Sequence, residues 1–362
     1  MSRIIFTVTN DLRYDQRMHR IAGTLAAEGH TVTLIGRQLK TSIELPVKNF
    51  RQKRLRCFFT KGLAFYAEYN FRLCCYLLFQ PADIICAIDL DTILPVYLVT
   101  ILKKQKRVYD AHEIFTEQKE VLSRPLVHRF WLAVEKLAVP GFPLGYTVNE
   151  SIRAELQKRY GVSYTVVRNL PRLSPLPATA PPAEKWILYQ GAVNEGRCFE
   201  TLIPAMQKVN ARLLICGKGN FYDQTLELVK QYEVTDKVEL KGYVTPEELL
   251  AITPTAHIGL TLFESKGMNQ YFSLANRFFD YIMAGVPQVC VNYPEYAAIN
   301  QRFNIAYLID DTSPKTIAAA LNNLLSDDVL YEQLRKNCLF ARDRLNWENE
   351  EQALIGFYKE IT

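Results

Sequence analysis

The chain is short of long apolar runs. The longest lipid-like stretch, residues 73–79, is far below the roughly 20 apolar residues that a membrane helix needs. The expectation is a protein that does not span a bilayer. The opening MSRIIFTVTN reads as a strand rather than as the charged and apolar regions of a signal peptide. No CxxC occurs among the eight cysteines; Cys74 and Cys75 are adjacent, and the others (Cys57, Cys86, Cys198, Cys216, Cys290, Cys338) mostly lie in apolar segments. That usage suits reduced, buried thiols of a cytosolic protein and not a disulfide framework. Internal repeats and low-complexity tracts are missing too. The one GxG turn, Gly217-Lys218-Gly219, is not a full GxGxxG. A dinucleotide oxidoreductase is therefore not supported.

What the chain does have is 362 residues with 49% hydrophobic and 22% charged side chains, enough for two domains with cores of their own. The charge is uneven. Residues 1–170 hold 25 Lys and Arg against 15 Asp and Glu (+10), and residues 171–362 hold 18 against 23 (−5), which sums to the overall +5. Such asymmetry points to an anionic partner on the first half only. The basic residues concentrate at Arg51, Lys53, Arg54, Arg56 and Lys61, and again at Lys103, Lys104, Lys106 and Arg107. Beside the first cluster stand Phe58, Phe59, Phe65, Tyr66, Tyr69 and Phe71. Two readings compete: exposed aromatics and cations on an anionic bilayer surface, or core aromatics beneath a solvated basic face.

Both halves alternate short β runs with helical patterns. Strands are expected at 3–9, 31–35, 84–87 and 107–110, with helices at 14–28 and 63–79; in the second half, strands are expected at 186–189, 212–216, 238–241, 258–262 and 288–291. This is the pattern of parallel sheets with crossover helices. Five prolines within 171–182 (Pro171, Pro175, Pro177, Pro181, Pro182) mark a linker. In doubly wound sheets ligands gather beyond the C-terminal strand ends, so the βα loops are where function is sought.

One such loop is the most telling. Residues 267–287, GMNQYFSLANRFFDYIMAGVP, read as a loop entering a helix, with Ser273 as N-cap and Gly285 with Pro287 as the stop. A helix N-terminus suits a phosphate, and Asp280 on that helix could hold the hydroxyls of an attached sugar. The loop from Gly191 to Arg197 offers close backbone approach and a fixed cation for a diphosphate. Gly217 and Gly219 form a second turn, and Lys241-Gly242-Tyr243 a third that can set an aromatic ring against a base; an ordinary turn is the rival reading there. In the first half, His112 lies between Asp110 and Glu113 at a strand end, where carboxylates can tune it for proton transfer. Asp89 and Asp91 end the preceding strand with their side chains on one side of it. At the end of the first strand, Asn10 and Asp11 either cap the turn or bind ligand, and Arg17 follows.

Together these segments resemble the family 4 glycosyltransferases of the GT-B fold, over nearly the whole chain. The resemblance implies an α/β architecture of two Rossmann-like β/α/β domains facing each other across a cleft: an acceptor-binding domain at 1–170, a Pro-rich linker at 171–185, a nucleotide-sugar-binding domain at 186–345, and a terminal helix at 346–362 crossing back to the N-terminal domain. It implies donor contacts from Gly191, Arg197, Gly217, Gly219, Tyr243, Ser273, Leu274 and Asn276. Asn10, Asp11, Arg17, Asp89, Asp91 and Glu113 are the acceptor-side candidates, and His112 and Asp280 the catalytic ones. Asp280 takes the second position of the family's E-x7-E motif, with Asp for Glu; Phe272 stands where the first Glu would fall, and Ala192 where an Arg is common.

The implied activity is sugar transfer from a nucleotide-diphosphate sugar, UDP or GDP, with retention. No metal or other cofactor is expected: Asp89-Leu90-Asp91 is formally DxD but lies in the wrong half for a donor-bound metal. The expected acceptor is a lipid-linked or polysaccharide precursor at the cytoplasmic face of the membrane, whose anionic surface is the partner; nucleic acid is not. Two alternatives stay open: a nucleotide-sugar epimerase of the same fold, and a non-catalytic sugar-nucleotide-binding subunit of a polysaccharide assembly complex.

Overall fold

A computed structural model describes residues 1–175 and 184–362. The chain divides into two units, Met1–Asn169 with Glu350–Thr362, and Leu170–Asn349. The first unit runs β1 (Arg3–Thr7), α1 (Gln16–Ala27), β2 (Thr31–Gln38), β3 (Arg51–Arg56), α2 (Gly62–Phe79), β4 (Ile84–Ile88), α3 (Ile93–Lys103) and β5 (Lys106–Ala111). It continues through α4 (Lys119–Leu122), α5 (Pro125–Ala138), β6 (Leu144–Thr147), α6 (Glu150–Tyr160) and β7 (Thr165–Val166). Its seven strands are all parallel, in the order β3-β2-β1-β4-β5-β6-β7. Strands covered on both faces need continuous apolar runs, and β4, with all five residues buried, is the clearest case.

The second unit runs β8 (Trp186–Gln190), α7 (Phe199–Ala205), β9 (Arg212–Cys216), α8 (Tyr222–Gln231), β10 (Val238–Gly242), α9 (Pro246–Ile252) and β11 (Ile258–Thr261). Then come α10 (Met268–Tyr271), α11 (Asn276–Ala284), β12 (Gln288–Val291), α12 (Pro294–Phe303), β13 (Ala306–Ile309), α13 (Pro314–Ser326) and α14 (Asp328–Arg342). Its six parallel strands are ordered β10-β9-β8-β11-β12-β13. In each sheet the order reverses once, between β1 and β4 and between β8 and β11. The loops that leave those strand ends diverge and open a crevice, which is where doubly wound sheets bind ligands.

The boundary between units falls inside α15 (Trp347–Ile361). Its later residues pack into the first unit, where the Tyr358 ring is fully buried beside Phe6 and Tyr146. Thr24 Oγ1 donates to Glu351 at 2.6 Å and the Arg168 N–H donates to Glu350 at 2.7 Å. Of the prolines read as a linker, Pro171 accepts a 2.8 Å bond from the Trp347 N–H, and the Leu173 N–H donates to Glu348, so this stretch is fastened to the second unit. Pro177, Pro181 and Pro182 lie outside the described residues.

Four strands carry no period-2 signal and appear only in the structure: β3, β6, β7 and β13. β3 (RQKRLR) is the edge strand of its sheet, and its Lys and Arg, read as a basic cluster, also blunt that open edge. The aromatics beside it separate into both expected kinds. Phe65 and Tyr69 are core, whereas Phe58, Phe59 and Phe71 are exposed. Ser273 does not cap α11; its hydroxyl donates to the Gln270 carbonyl, and the cap position is Ala275, which has no side-chain acceptor to offer.

Truncating Tyr358 to Ala removes a buried ring on which Phe6 and Tyr146 pack. A loss of about 3–5 kcal/mol is expected, as for other large-to-small core changes, measured by urea denaturation.

Candidate functional site

In the second unit, three neighbouring strands, β8, β9 and β10, end in glycine turns that touch one another. The Gly191 N–H donates to the Cys216 carbonyl at 2.9 Å, and the Gly217 N–H donates to the Gly242 carbonyl at 2.7 Å. A Cβ on Gly217 (φ +153°) would lie 1.8 Å from the Gly191 oxygen, and one on Gly219 would lie 2.3 Å from the Val193 oxygen. The GxG turn is thus required by backbone packed on backbone, which no side chain permits. Gly196 differs: its positive φ (+82°) favours glycine, and its neighbour is the movable Gln270 side chain.

Next to these turns, across the reversal point, stands a residue that sequence reading passed over. Arg277, in the first turn of α11, is buried, with its guanidinium 4.7 Å from the Tyr189 ring and 4.6 Å from the Phe263 ring. Its Nη2 donates to the Leu262 carbonyl at 3.2 Å and its Nη1 lies 3.4 Å from the Tyr189 hydroxyl. Among the described residues no carboxylate pairs with it, and Nε has no partner. A Cβ on Gly191 would sit 3.4 Å from Nη1, so the charge lies directly beneath that turn. Arg197, half-buried, places a second guanidinium 4.3 Å from the same Phe263 ring. Two cations thus share one ring beside the N-terminus of α11, which has no side-chain cap.

The remaining residues expected on the donor side lie as follows. Asp280, the fifth residue of α11, accepts a 3.0 Å bond from Gln190 Nε2, and Gln190 in turn accepts from Thr253 at 2.7 Å. Ser273 and Leu274 are partly buried before α11, Asn276 is its exposed first residue, and Tyr243 projects outward after β10. Phe272 occupies no acidic position, but Glu264 does: it follows β11, is partly buried, and its N–H donates to the Gly196 carbonyl at 3.1 Å. That acid stands sixteen residues before Asp280, twice the spacing of the motif, with α10 between it and α11.

In the first unit, the ends of β4 and β5 assemble a second polar cluster. Alternation along β5 sends Asp110 and His112 the same way. Arg17, buried on α1, donates Nη2 to Asp110 at 2.9 Å and Nη1 to the Val167 carbonyl at 2.9 Å, while its Nε lies 3.0 Å from His112 Nε2. That same His112 nitrogen is 2.9 Å from Asp110 Oδ2. One nitrogen cannot serve both neighbours at once: protonated it donates to Asp110, unprotonated it accepts from Arg17. Burial opposes charge on His112, but Asp110 and Asp89 outweigh it and push the imidazole up to about 9. Asp89 also accepts the His112 backbone N–H at 2.9 Å, from a left-handed conformation (φ +54°) that a non-glycine residue holds only under constraint. Burial would raise Asp110 as well, yet Arg17 and His112 hold it below the usual carboxylate range.

Arg17, expected on the acceptor side, is therefore placed as a buttress of His112 with its donors engaged internally. Asn10 accepts the Leu12 N–H at 2.9 Å and bonds Asp15, and Asp11 pairs with Arg54 at 3.0 Å, so both tie the β1 loop down. Asp89 and Asp91 flank the buried Leu90; burial raises them to about 7 and about 6, and Thr9 donates to Asp91. Glu113 accepts from Gln118. Among the described residues no group of His, Cys, Asp and Glu is arranged to hold a metal ion, and no helix is long and apolar enough to cross a membrane.

Residues 178–338 match the family model of the glycosyl transferases group 1. That match lies wholly within the second unit. Over 183 residues the chain is 26% identical to an uncharacterized glycosyltransferase of Methanocaldococcus jannaschii; the match takes in 49% of this chain and 45% of that one, so the chain spans about half the length of that relative. Three solved structures share the fold. Sucrose-phosphate synthase from Thermosynechococcus elongatus superposes with a TM-score of 0.81 at 16% identity, covering 100% of this chain and 99% of that one. WaaG, a glycosyltransferase involved in lipopolysaccharide biosynthesis, gives 0.74 at 17% (97% and 99%), and Anabaena HepE with UDP-glucose gives 0.76 at 11% (99% and 100%). At these identities the likeness is one of architecture, the GT-B arrangement of two Rossmann-like α/β domains.

The raised His112 has a visible consequence. Its ring is expected to stay protonated through neutral pH; an NMR titration should give a midpoint near 9, and Asp110→Asn should move it down. Because the folded value lies above the ordinary one of about 6.5, the stability it contributes is full below that pH and lost as pH rises through about 9.

Proposed function

We propose that the protein is a glycosyltransferase of the family 4 kind, moving a sugar from a nucleotide diphosphate to a lipid-linked or polysaccharide precursor at the inner membrane face, with retention and without a metal. The observation that carries this is the corner built by Arg277, Arg197 and the α11 N-terminus beside the Gly191 turn. A buried guanidinium without a carboxylate partner is costly unless an anion completes it. A diphosphate offers two charges and several acceptors, and backbone N–H groups can reach it where no Cβ intervenes. The same groups would stabilise the charge that develops on the leaving diphosphate, so no metal is needed for that task.

Around this seat, Tyr243 is assigned to the base, Asp280 with Gln190 to hydroxyls, and Glu264 to the donor sugar in the place first given to position 272. Ser273, Leu274 and Asn276 supply the backbone edge. The M. jannaschii relative and the UDP-glucose-bound HepE support a nucleotide-sugar donor. WaaG, named for lipopolysaccharide biosynthesis, supports an acceptor bound for the cell envelope. In the first unit, a histidine that keeps its proton at neutral pH is a hydrogen-bond donor rather than a base. That suits His112 as a contact to the reacting sugar or its departing oxygen. Asp89, Asp91 and Glu113 are assigned to the acceptor, and the first two, raised toward neutrality, can accept or return its proton.

A thermal-shift series with UDP-, GDP-, ADP- and dTDP-sugars tests the donor class: one nucleotide is expected to raise the melting temperature, and no response to any would overturn the reading. Arg277→Ala should weaken that binding about tenfold or more, the worth of hydrogen bonds to a charged group. His112→Ala should abolish transfer while leaving donor binding intact. Transfer that survives it removes His112 from the mechanism, and an epimer formed without acceptor would favour the epimerase.

A further inference from the structure

We infer that the outer face of α2, α3 and α5 is the surface by which the first unit docks on an anionic phospholipid bilayer. The inference rests on the membrane-face part of the proposed function and places it on three helices, where, of the cations Arg129, Lys136 and Lys104, Lys104 alone comes from the two basic clusters of the sequence. α2 packs along α3 and α3 along α5. Each helix buries one apolar stripe and exposes a second. On α2 the buried stripe is Phe65, Tyr69, Leu73 and Leu77, while Phe71 and Phe79, 70% and 84% exposed, stand outside at the same helical spacing. On α3, Leu98 and Leu102 (72% exposed) are outside; on α5, Leu126 (81%) and Phe130 are. A surface helix normally turns polar residues outward, and a contiguous exposed apolar area of this kind marks a contact surface.

The charge pattern selects the occupant. The three helices contain two carboxylates, and neither faces out as a free charge. Glu68 accepts the Phe58 and Phe59 N–H groups and pairs with Arg72. Glu135 is buried and accepts from Thr116 at 2.7 Å. Arg129, Lys136 and Lys104, at the C-cap of α3, are exposed among the apolar residues. An acid-free, basic and apolar face repels a second copy of itself, which would set like charges opposite one another. A bilayer of anionic headgroups complements it: phenylalanine and leucine enter the acyl boundary while Lys and Arg reach the phosphates. By contrast, the second basic cluster of the sequence is mostly engaged inside the unit, with Lys103 donating to the Leu77 and Gln80 carbonyls and Arg107 to the Gly141 carbonyl.

The full chain, mixed with phosphatidylglycerol–phosphatidylcholine vesicles or with phosphatidylcholine vesicles alone, is expected to float with the former, to bind the latter weakly, and to be released by salt. Phe71→Ser with Phe130→Ser should weaken partitioning about tenfold for each ring removed. Lys104→Glu with Arg129→Glu should weaken it severalfold and flatten the salt dependence. These side chains are exposed, so folding is checked by an unchanged melting temperature. Failure to float with anionic vesicles, or flotation indifferent to both pairs of substitutions, overturns the inference. So does self-association in light scattering that Phe71→Ser with Phe130→Ser dissolves. The nucleotide-sugar thermal shift on the same preparation separates this failure from failure of the donor reading, since it reports on the second unit alone.

Discussion

The second unit depends on one contact of backbone with backbone. The turn after β8 and the turn after β9 are so close that a single methylene at position 217 would overlap the Gly191 carbonyl. Because the turns abut, the loop of residues 191–197 is held in a fixed course along the end of the sheet, and Gly196 brings α10 against it. That course is what places the Gly191 backbone above the Arg277 guanidinium. Without it, the cation would need a side-chain partner or water to satisfy it. With it, the protein supplies a bare backbone edge and a buried charge at one point, which is the combination an oxygen-rich anion requires.

The first unit solves a similar problem by the opposite means. There the buried cation, Arg17, is fully answered: Asp110 takes one nitrogen and the Val167 carbonyl another. A buried pair of this kind contributes little net stability, but removing one partner strands the other, at about 3–5 kcal/mol. What the pair achieves is orientation. It holds Asp110 ionised, and an ionised Asp110 in turn keeps a proton on His112. One arginine completes its shell within its own unit and sets the state of a histidine; the other has no carboxylate among the described residues and keeps one nitrogen without a partner.

Much of the architecture was legible because parallel strands buried on both faces announce themselves as apolar runs, as β4 and β12 do. Strands without such burial did not: β3 lies at a sheet edge and carries four cations in six residues. The candidate site was legible where a motif depends on glycine, since Gly191, Gly217 and Gly219 mark close approach by their residue type alone. It was illegible where the role comes from burial. Arg277 looked like one more charge on an amphipathic helix, and only its place between the Tyr189 and Phe263 rings sets it apart. Glu264 was passed over because it lies sixteen residues before Asp280, outside the eight-residue spacing at which an acid was sought. Ser273 illustrates the reverse error: a good capping residue type found a nearer acceptor in Gln270, and α11 began three residues later.

The positive surplus of the first 170 residues is not one property but two. Some of its cations complete the fold: Arg17 and Arg54 answer buried or partly buried acids, and Lys103 and Arg107 donate to carbonyls at the ends of other elements. The two ion-paired charges are neutralised locally and contribute little field outside the molecule, and the other two are held against the fold. The cations left over determine the surface potential, and their effect depends on what surrounds them. On α2, α3 and α5 they stand among exposed apolar residues, and the two carboxylates of those helices are both engaged. An exposed acid would cost nothing in stability on such helices and would raise solubility, so its absence on three adjacent helices, together with a second apolar stripe on each, is more than packing requires. Solvent alone does not call for that surface; an anionic, partly apolar neighbour does.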